Sequence, residues 1–316
     1  MLVMADKKAL IVKTRNPDKL LSVMPSARSF TVKGAPLVAV PHRTDETILL
    51  RSLGFNAPAP IRTYYDWPGR YKPFHAQKEA AAFLSMNKRA FNLSELGTGK
   101  SLASLWAYDY LRSIGQMNKV LVISPLSTLE RTWADELFNH FPHLTFGVLH
   151  GTKKRRIALL NEDFDVYIVN HDGVGIIEPH LKDRTDIDLV IVDEIAQCAR
   201  NAGTTKWKVI NSVVNKHKKP RACWGMSGTP TPNAPTDAWA QCRLLVPEQV
   251  PPYFGRFKAT VMRQITQFKW LPKSDATDIV RKIMQPAVRF TRDECLDLPP
   301  ILFETRAVPL TKEQGK

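Results

Sequence analysis

Cysteine is scarce in this chain: Cys198, Cys223, Cys242 and Cys295 are the four in 316 residues, and no two form a CxxC or Cys/His spacing. That excludes a disulfide framework and a cysteine-rich zinc module, and predicts reduced thiols. Long apolar runs are missing too. None approaches the roughly 20 residues that span a bilayer, and Asp6, Lys7 and Lys8 interrupt the N-terminus before a signal peptide could form. Repeats and low-complexity tracts are absent. The expectation is a soluble, cytoplasmic protein. Acidic residues are also under-represented, at 30 against 45 lysines and arginines, for a net charge of +15. Such an excess favours polyanionic partners, because phosphates neutralised by Lys or Arg release condensed counterions. A basic enzyme with no such partner remains the alternative at this point.

The length accommodates one large domain and a small one. Residues 1–66 read as a small α+β unit, with short strands at Ala9–Lys13 and Leu37–Val40. A helix follows between His42 and Gly54, capped by Asp45, and the Pro-rich stretch Ala57–Pro60 marks a boundary. From Tyr71 onward, apolar runs alternate with helical patterns. Val120–Ile123, Val166–Val169, Leu189–Val192 and Ala222–Met226 read as strands buried on both faces. Ser127 with Glu130 three residues later predicts a capping box opening a helix that carries Leu129, Trp133 and Leu137. This rhythm predicts an α/β fold over residues 67–300, with a parallel sheet flanked by helices and ligands at the carboxyl ends of its strands. Residues 301–316 read as a linker or the start of a further lobe.

Four segments carry chemistry. In Ser94–Ser101 (SELGTGKS), Gly97 and Gly99 let the backbone curl so that amides, Thr98 among them, face a phosphate. Lys100 reaches the β and γ phosphates and Ser101 offers a hydroxyl to Mg²⁺. Ser94 stands where such loops usually begin with glycine. The apolar strand Leu189–Val192 ends in Asp193 and Glu194, fit respectively to hold Mg²⁺ and to polarise a water. Trp224–Pro230 runs a strand into a tight turn whose Ser227, Gly228 and Thr229 lie beside the acids and could sense the γ phosphate. Gln77, in Phe74–Gln77, has the donor and acceptor to read an adenine edge, with Tyr71 or Phe74 stacking on the ring.

In this order the four segments resemble the first motor lobe of helicase superfamily two, and more narrowly its Swi/Snf-type branch. Val120–Glu136, Val148–Gly151, Asp165–Asn170, Ser227–Asn233 and Val288–Pro300 carry the narrower likeness, which spans roughly residues 71–300. The wording of Trp224–Gln241 is similar to that of helicase-like proteins of tailed bacteriophages, which would put the protein in a bacterial host cytoplasm. The resemblance implies a RecA-like lobe binding ATP and Mg²⁺ through Gln77, Gly97–Ser101, Asp193 and Glu194. It also implies DNA backbone contacts at Ser124, Pro125, Leu126, His150, Gly151, Asn170, His171, Thr229 and Pro230. One departure is Ala196, in the place of the histidine usual fourth in the acidic box; another is that nothing matches a second lobe with its arginine fingers. The expected function is ATP-driven translocation on duplex DNA. A strand-separating DNA or RNA helicase, or a non-hydrolysing module that binds ATP and nucleic acid, are the alternatives. Two basic clusters, Lys153–Arg156 and Lys216–Lys219, read as solvated helix ends or as phosphate contacts.

Overall fold

The computed structural model describes residues 1–181, 183–217 and 221–295. Expectations for Lys218 and Lys219, for Asp297–Pro300 and for residues 301–316 lie outside them.

The chain begins with an antiparallel sheet of β1 (Leu2–Met4), β2 (Ala9–Lys13), β3 (Arg28–Val32) and β4 (Ala35–Pro41), in the order β1-β2-β4-β3. Period-two alternation puts Leu10, Val12, Val38 and Val40 on one face. There they pack with Leu20 and Met24, contributed by α1 (Pro17–Val23) and its C-cap, and with Leu50 of α2 (Thr44–Ser52). The expected cap of α2 moves: Arg43 is the N-cap and Asp45 sits in the first turn, where its charge complements the helix dipole. Gly54 ends the helix as expected, at φ +87°. A short α3 (Ile61–Tyr64) leads on, and His42 is held by Tyr64 and by the Pro58 carbonyl.

The larger sheet contains β5 (Arg89–Asn92), β6 (Lys119–Ser124), β7 (Phe146–Val148), β8 (Val166–Asn170), β9 (Ile187–Val192) and β10 (Ala222–Met226). After the small hairpin of β11 (Met262–Gln264) and β12 (Trp270–Pro272), β13 (Ala287–Val288) returns to its edge. The order is β13-β5-β10-β9-β6-β8-β7, with every pairing parallel. Alternate residues of the same strands feed two cores. Leu121, Ile123, Tyr167, Val190 and Val192 face one layer, while Val120, Val122, Ile168, Leu189, Ile191 and Trp224 face the other. This is why these strands read as unbroken apolar runs. The four strands predicted for this sheet are present; β5, β7 and β13 went unread.

One helix start differs from expectation. The capping box at Ser127 does not form. The chain instead enters through a 3₁₀ turn at Leu126–Thr128, where the Thr128 hydroxyl donates to the Pro125 carbonyl, and continues as a π-helix over Leu129–Ala134. Wider π turns let a bulky side chain swing off the regular helical stripe, and Trp133, fully buried, is the side chain so placed.

Candidate nucleotide site

The candidate phosphate loop, Ser94–Ser101, follows β5 and opens α5 (Lys100–Ser113), at the carboxyl edge of the sheet. Gly97 (φ +84°) and Gly99 (φ +76°) take left-handed conformations that side chains resist. At Gly99 a β-carbon would stand 2.0 Å from Gln77 Nε2, so a side chain there would have to displace the Gln77 amide. Gln77 is therefore not a surface residue. It lies buried in the first turn of α4 (His75–Ser85) against the loop, and its Oε1 accepts from the Phe74 amide at 2.9 Å. Tyr71 and Phe74 remain exposed.

Lys100 is buried, and its ammonium donates to the Glu95 carbonyl at 3.1 Å, as does the Thr98 hydroxyl at 2.8 Å. Burial pushes the lysine's pKa down, while the carboxylates of Glu194 and Asp193 pull it back up. These residues come from two separate stretches of sequence.

Asp193 ends β9 and is nearly enclosed. Its Oδ2 accepts from the Trp133 indole at 3.1 Å, its Oδ1 from the Glu194 amide at 3.0 Å, and its carbonyl meets His171 Nε2 at 2.8 Å. Burial raises its pKa against these bonds and the charge of Lys100. Glu194 is left-handed at φ 46°, a conformation costing a non-glycine residue about 1–2 kcal/mol; such outliers cluster at functional sites. Burial, then the Asp193 charge, raises its pKa, opposed by Lys100 and by a hydrogen bond with Ser227. Ser227 is buried and also accepts from the Thr229 amide at 3.2 Å. Gly228 packs on the phosphate loop, where a β-carbon would lie 3.3 Å from the Leu96 amide nitrogen. Loop, acids and Ser227–Thr229 turn thus form one contiguous site. A cavity of about 690 Å³ runs from Gln197–Lys206 to Asn233–Trp239, and no residue of Ser94–Ser101 lines it.

The residues expected at DNA divide into two groups. Leu126, His150, Gly151 and Thr229 are exposed, and Pro125 and Pro230 partly so. Ser124, Asn170 and His171 are buried, the last two with internal side-chain bonds. Arg156 explains part of this. Read as a member of a basic surface cluster, it is buried and bonds the Leu149 and Gly151 carbonyls and Asn170 Oδ1, fixing two of the expected contact segments to each other. Lys153, Lys154 and Arg155 stay exposed. Sequence reasoning treated Trp133 as an apolar helix position and gave Glu95, Asn92 and Arg292 no role. A buried tryptophan needs a partner for its N–H, which was the available signal.

Glu136, three residues beyond Trp133, has its pKa raised from 4.5 to about 7 by burial, and its Oε2 has no partner among the described residues. A carboxyl raised in the folded state binds its proton more tightly there than when unfolded. The contribution of Glu136 to stability is therefore fully present below pH 4.5 and is lost as pH climbs towards 7. At about 1.4 kcal/mol per pH unit, the fall is about 3 kcal/mol. Glu136→Gln should therefore melt near the parent at pH 5 and well above it at pH 8; parallel melting curves across that range would refute the assignment.

The family model described as the SNF2-related domain matches residues 77–316. The chain belongs to that family. It is similar to protein p41 of Acyrthosiphon pisum secondary endosymbiont phage 1, 29% identical over 161 residues, covering 49% of this chain and 35% of that protein. It is also similar to the ISWI chromatin-remodeling complex ATPase ISW2 of Saccharomyces cerevisiae, 29% identical over 160 residues, covering 49% of this chain and 14% of that one. Among solved structures, the Sulfolobus solfataricus SWI2/SNF2 ATPase core in complex with dsDNA superposes at a TM-score of 0.59 with 22% identity, covering 72% of this chain and 46% of that one. The same core described without DNA superposes at 0.57 with 23% identity, covering 74% and 47%. The SNF2-family fold is thus shared, and the chain spans half or less of each of these relatives. No helix among the described residues is long and apolar enough to cross a membrane.

Proposed function

We propose that this chain is the ATP-binding motor lobe of an enzyme that couples ATP hydrolysis to translocation on duplex DNA. The observation that carries the reading is the convergence of Lys100, Asp193, Glu194 and Ser227 around one glycine-bearing loop. In this reading the Gly97–Ser101 backbone and Lys100 cradle the phosphates, and Gln77 lies on the adenine side. Glu194, made more basic by burial and by Asp193, accepts the proton of the attacking water. Ser227, bonded to Glu194, reports phosphate state to the exposed Thr229–Pro230 turn. Asn92 Nδ2 is buried without a partner among the described residues, beside Ser94, Thr98 and Lys100.

The donor set also fits Mg²⁺. This ion is usually bound through one or two carboxylates plus substrate phosphates, and Asp193 supplies such a carboxylate beside Lys100 and Glu194. Asp193 and Ser101 would hold it, and it would neutralise charge on the phosphates.

For nucleic acid, the exposed positions Leu126, His150, Gly151 and Thr229 form the contact face, with Pro125 and Pro230 beside them. Ser124, Asn170 and His171 support it from beneath. A solved SNF2-type core was captured with dsDNA, and the chain's +15 charge suits the same partner. Residues 1–66 act as an accessory unit, and residues 67–300 form the lobe. Motors of this branch use arginines from a second lobe, so residues 1–316 alone should turn over ATP slowly.

The test is ATP turnover by this chain and by a form carrying a second lobe, with duplex DNA, single-stranded DNA or RNA. Stimulation by duplex DNA in the two-lobed form supports the reading. Stimulation only by single strands or RNA replaces it with a strand-separating helicase, and no turnover in either form replaces it with a binding module. Affinity for duplex DNA should also fall with salt at a log–log slope of roughly −0.9 per phosphate contacted. Fluorescence anisotropy measures this, and a flat response would count against backbone tracking.

A further inference from the structure

The segment that closes the sheet does not end at β13. It runs on beside the phosphate loop, bonded to it at successive residues. The Leu93 amide donates to the Val288 carbonyl at 2.8 Å and the Glu95 amide to the Phe290 carbonyl at 2.9 Å. In return, the Phe290 amide donates to the Ser94 hydroxyl at 3.1 Å and the Arg292 amide to Glu95 Oε2 at 3.2 Å. Arg289 pairs loosely with the same carboxylate, at 3.8 Å. The last contact comes from a side chain: Arg292 Nε donates to the Leu96 carbonyl at 2.6 Å. A β-carbon on Gly97 would meet Arg292 Nε at 3.7 Å and Nη2 at 4.0 Å, so the guanidinium lies against the loop at its left-handed glycine.

We propose that Arg292 is a second cationic nucleotide-binding residue, whose guanidinium contacts the phosphates of the bound nucleotide from the Leu96–Gly97 side of the loop. The inference rests on reading Ser94–Ser101 as a phosphate loop. One observation supports it beyond proximity. Among the described residues a single bond, from Nε to Leu96, holds the side chain, which leaves the paired Nη donors for a forked contact of the kind arginine makes with phosphate. Because Arg292 is anchored through its own backbone to Glu95, phosphate contact would also tie nucleotide occupancy to the position of the segment beyond β13.

The experiment is equilibrium binding of mant-ADP and mant-ATP to the 316-residue chain and to Arg292→Ala, Arg292→Lys and Lys100→Ala, alongside melting temperatures without nucleotide. Arg292→Ala should raise the Kd by about tenfold, the scale of one lost charge-assisted contact. It should leave the nucleotide-free melting temperature within a degree of the parent, and Arg292→Lys should recover part of the affinity. A loss for ATP and ADP alike points to the β phosphate, and a loss for ATP alone to the γ; either supports the inference. Unchanged or tighter binding by Arg292→Ala overturns it, as does a fall in nucleotide-free melting temperature that Arg292→Lys restores together with affinity, since that marks a bolt on the loop. If Lys100→Ala also binds like the parent, the phosphate-loop reading itself has failed; if Lys100→Ala binds poorly and Arg292→Ala does not, only the Arg292 inference falls.

Discussion

Glu194→Gln should bind ATP as the parent does and lose turnover on the order of 100-fold or more, the scale on which removing a positioned base acts. The substitution is close to isosteric. The left-handed backbone at Glu194 and the bond from its amide to Asp193 Oδ1 are main-chain features that glutamine retains. An amide can also keep a hydrogen bond with Ser227, so the turn beyond it should hold its place. What disappears is an oxygen able to take a proton. In the parent that oxygen is made more basic by burial and by the neighbouring Asp193 carboxylate. Lys100→Ala should act differently, at the binding step, because the ammonium is the cation seated within the loop itself. The comparison is made by nucleotide binding and by ATP turnover at saturating duplex DNA, in the form of the protein that turns over. Parent-like turnover by Glu194→Gln would remove Glu194 from the role of base and leave the buried acid pair as a structural and metal-holding feature.

Much of the sheet was legible because its central strands are buried on both faces, which writes an unbroken apolar run into the sequence. Val120–Ile123 and Leu189–Val192 are such runs, and both strands are there. The edge and short strands were silent for the same reason. Arg89–Asn92 is four residues long with a charged and a polar end, and Ala287–Val288 is two residues long. Their pairing is decided by what the rest of the sheet leaves open, which no local pattern states. The π-helix at Leu129–Ala134 is a further case, because a serine and a glutamate at the right spacing read as a capping box. Tertiary packing of Trp133 takes precedence there.

The candidate nucleotide site was legible to the extent that it is local. The loop glycines, Lys100 and the acid pair each sit in a short stretch whose chemistry needs that spacing. The connections between stretches were not. Trp133 holding Asp193, Arg156 holding Gly151 to Asn170, and Arg292 holding Leu96 join residues 60, 14 and 196 positions apart. Charge patterning misled at Arg156, since four basic residues in a row read as one exposed cluster although the helix turns the fourth inward. Ala196 stands where a histidine was expected, and it is His171, just beyond β8, that reaches the acid pair and bonds the Asp193 carbonyl.

Arg221 marks how far the site depends on buried polar contacts remote from it, and Arg221→Met should destabilise the fold on the order of 4 kcal/mol. Its side chain is buried, and burial lowers its pKa to about 10. The guanidinium donates to four backbone carbonyls: Ile187 at 2.9 Å, Val213 at 2.5 Å, Leu181 at 3.0 Å and Arg184 at 2.9 Å. These belong to the start of β9, the helix Thr205–Asn215, the end of the helix Val174–Leu181 and the turn after it. A single planar fork therefore fastens two helices to the strand that ends in Asp193. Methionine fills similar volume but donates nothing; the Leu181 carbonyl keeps the Arg184 amide at 3.2 Å, and each of the others that finds no other partner costs about 1–3 kcal/mol. The total stays below the simple sum because relaxation and water recover part of it. Lysine keeps a charge but reaches fewer of the four, so Arg221→Lys should fall between parent and methionine. Chemical denaturation reads the effect as a lower midpoint at unchanged slope. Methionine and lysine variants both within about 1 kcal/mol of the parent would show that the carbonyls are satisfied without Arg221. An intermediate lysine variant would identify the forked contact as the source of that stability.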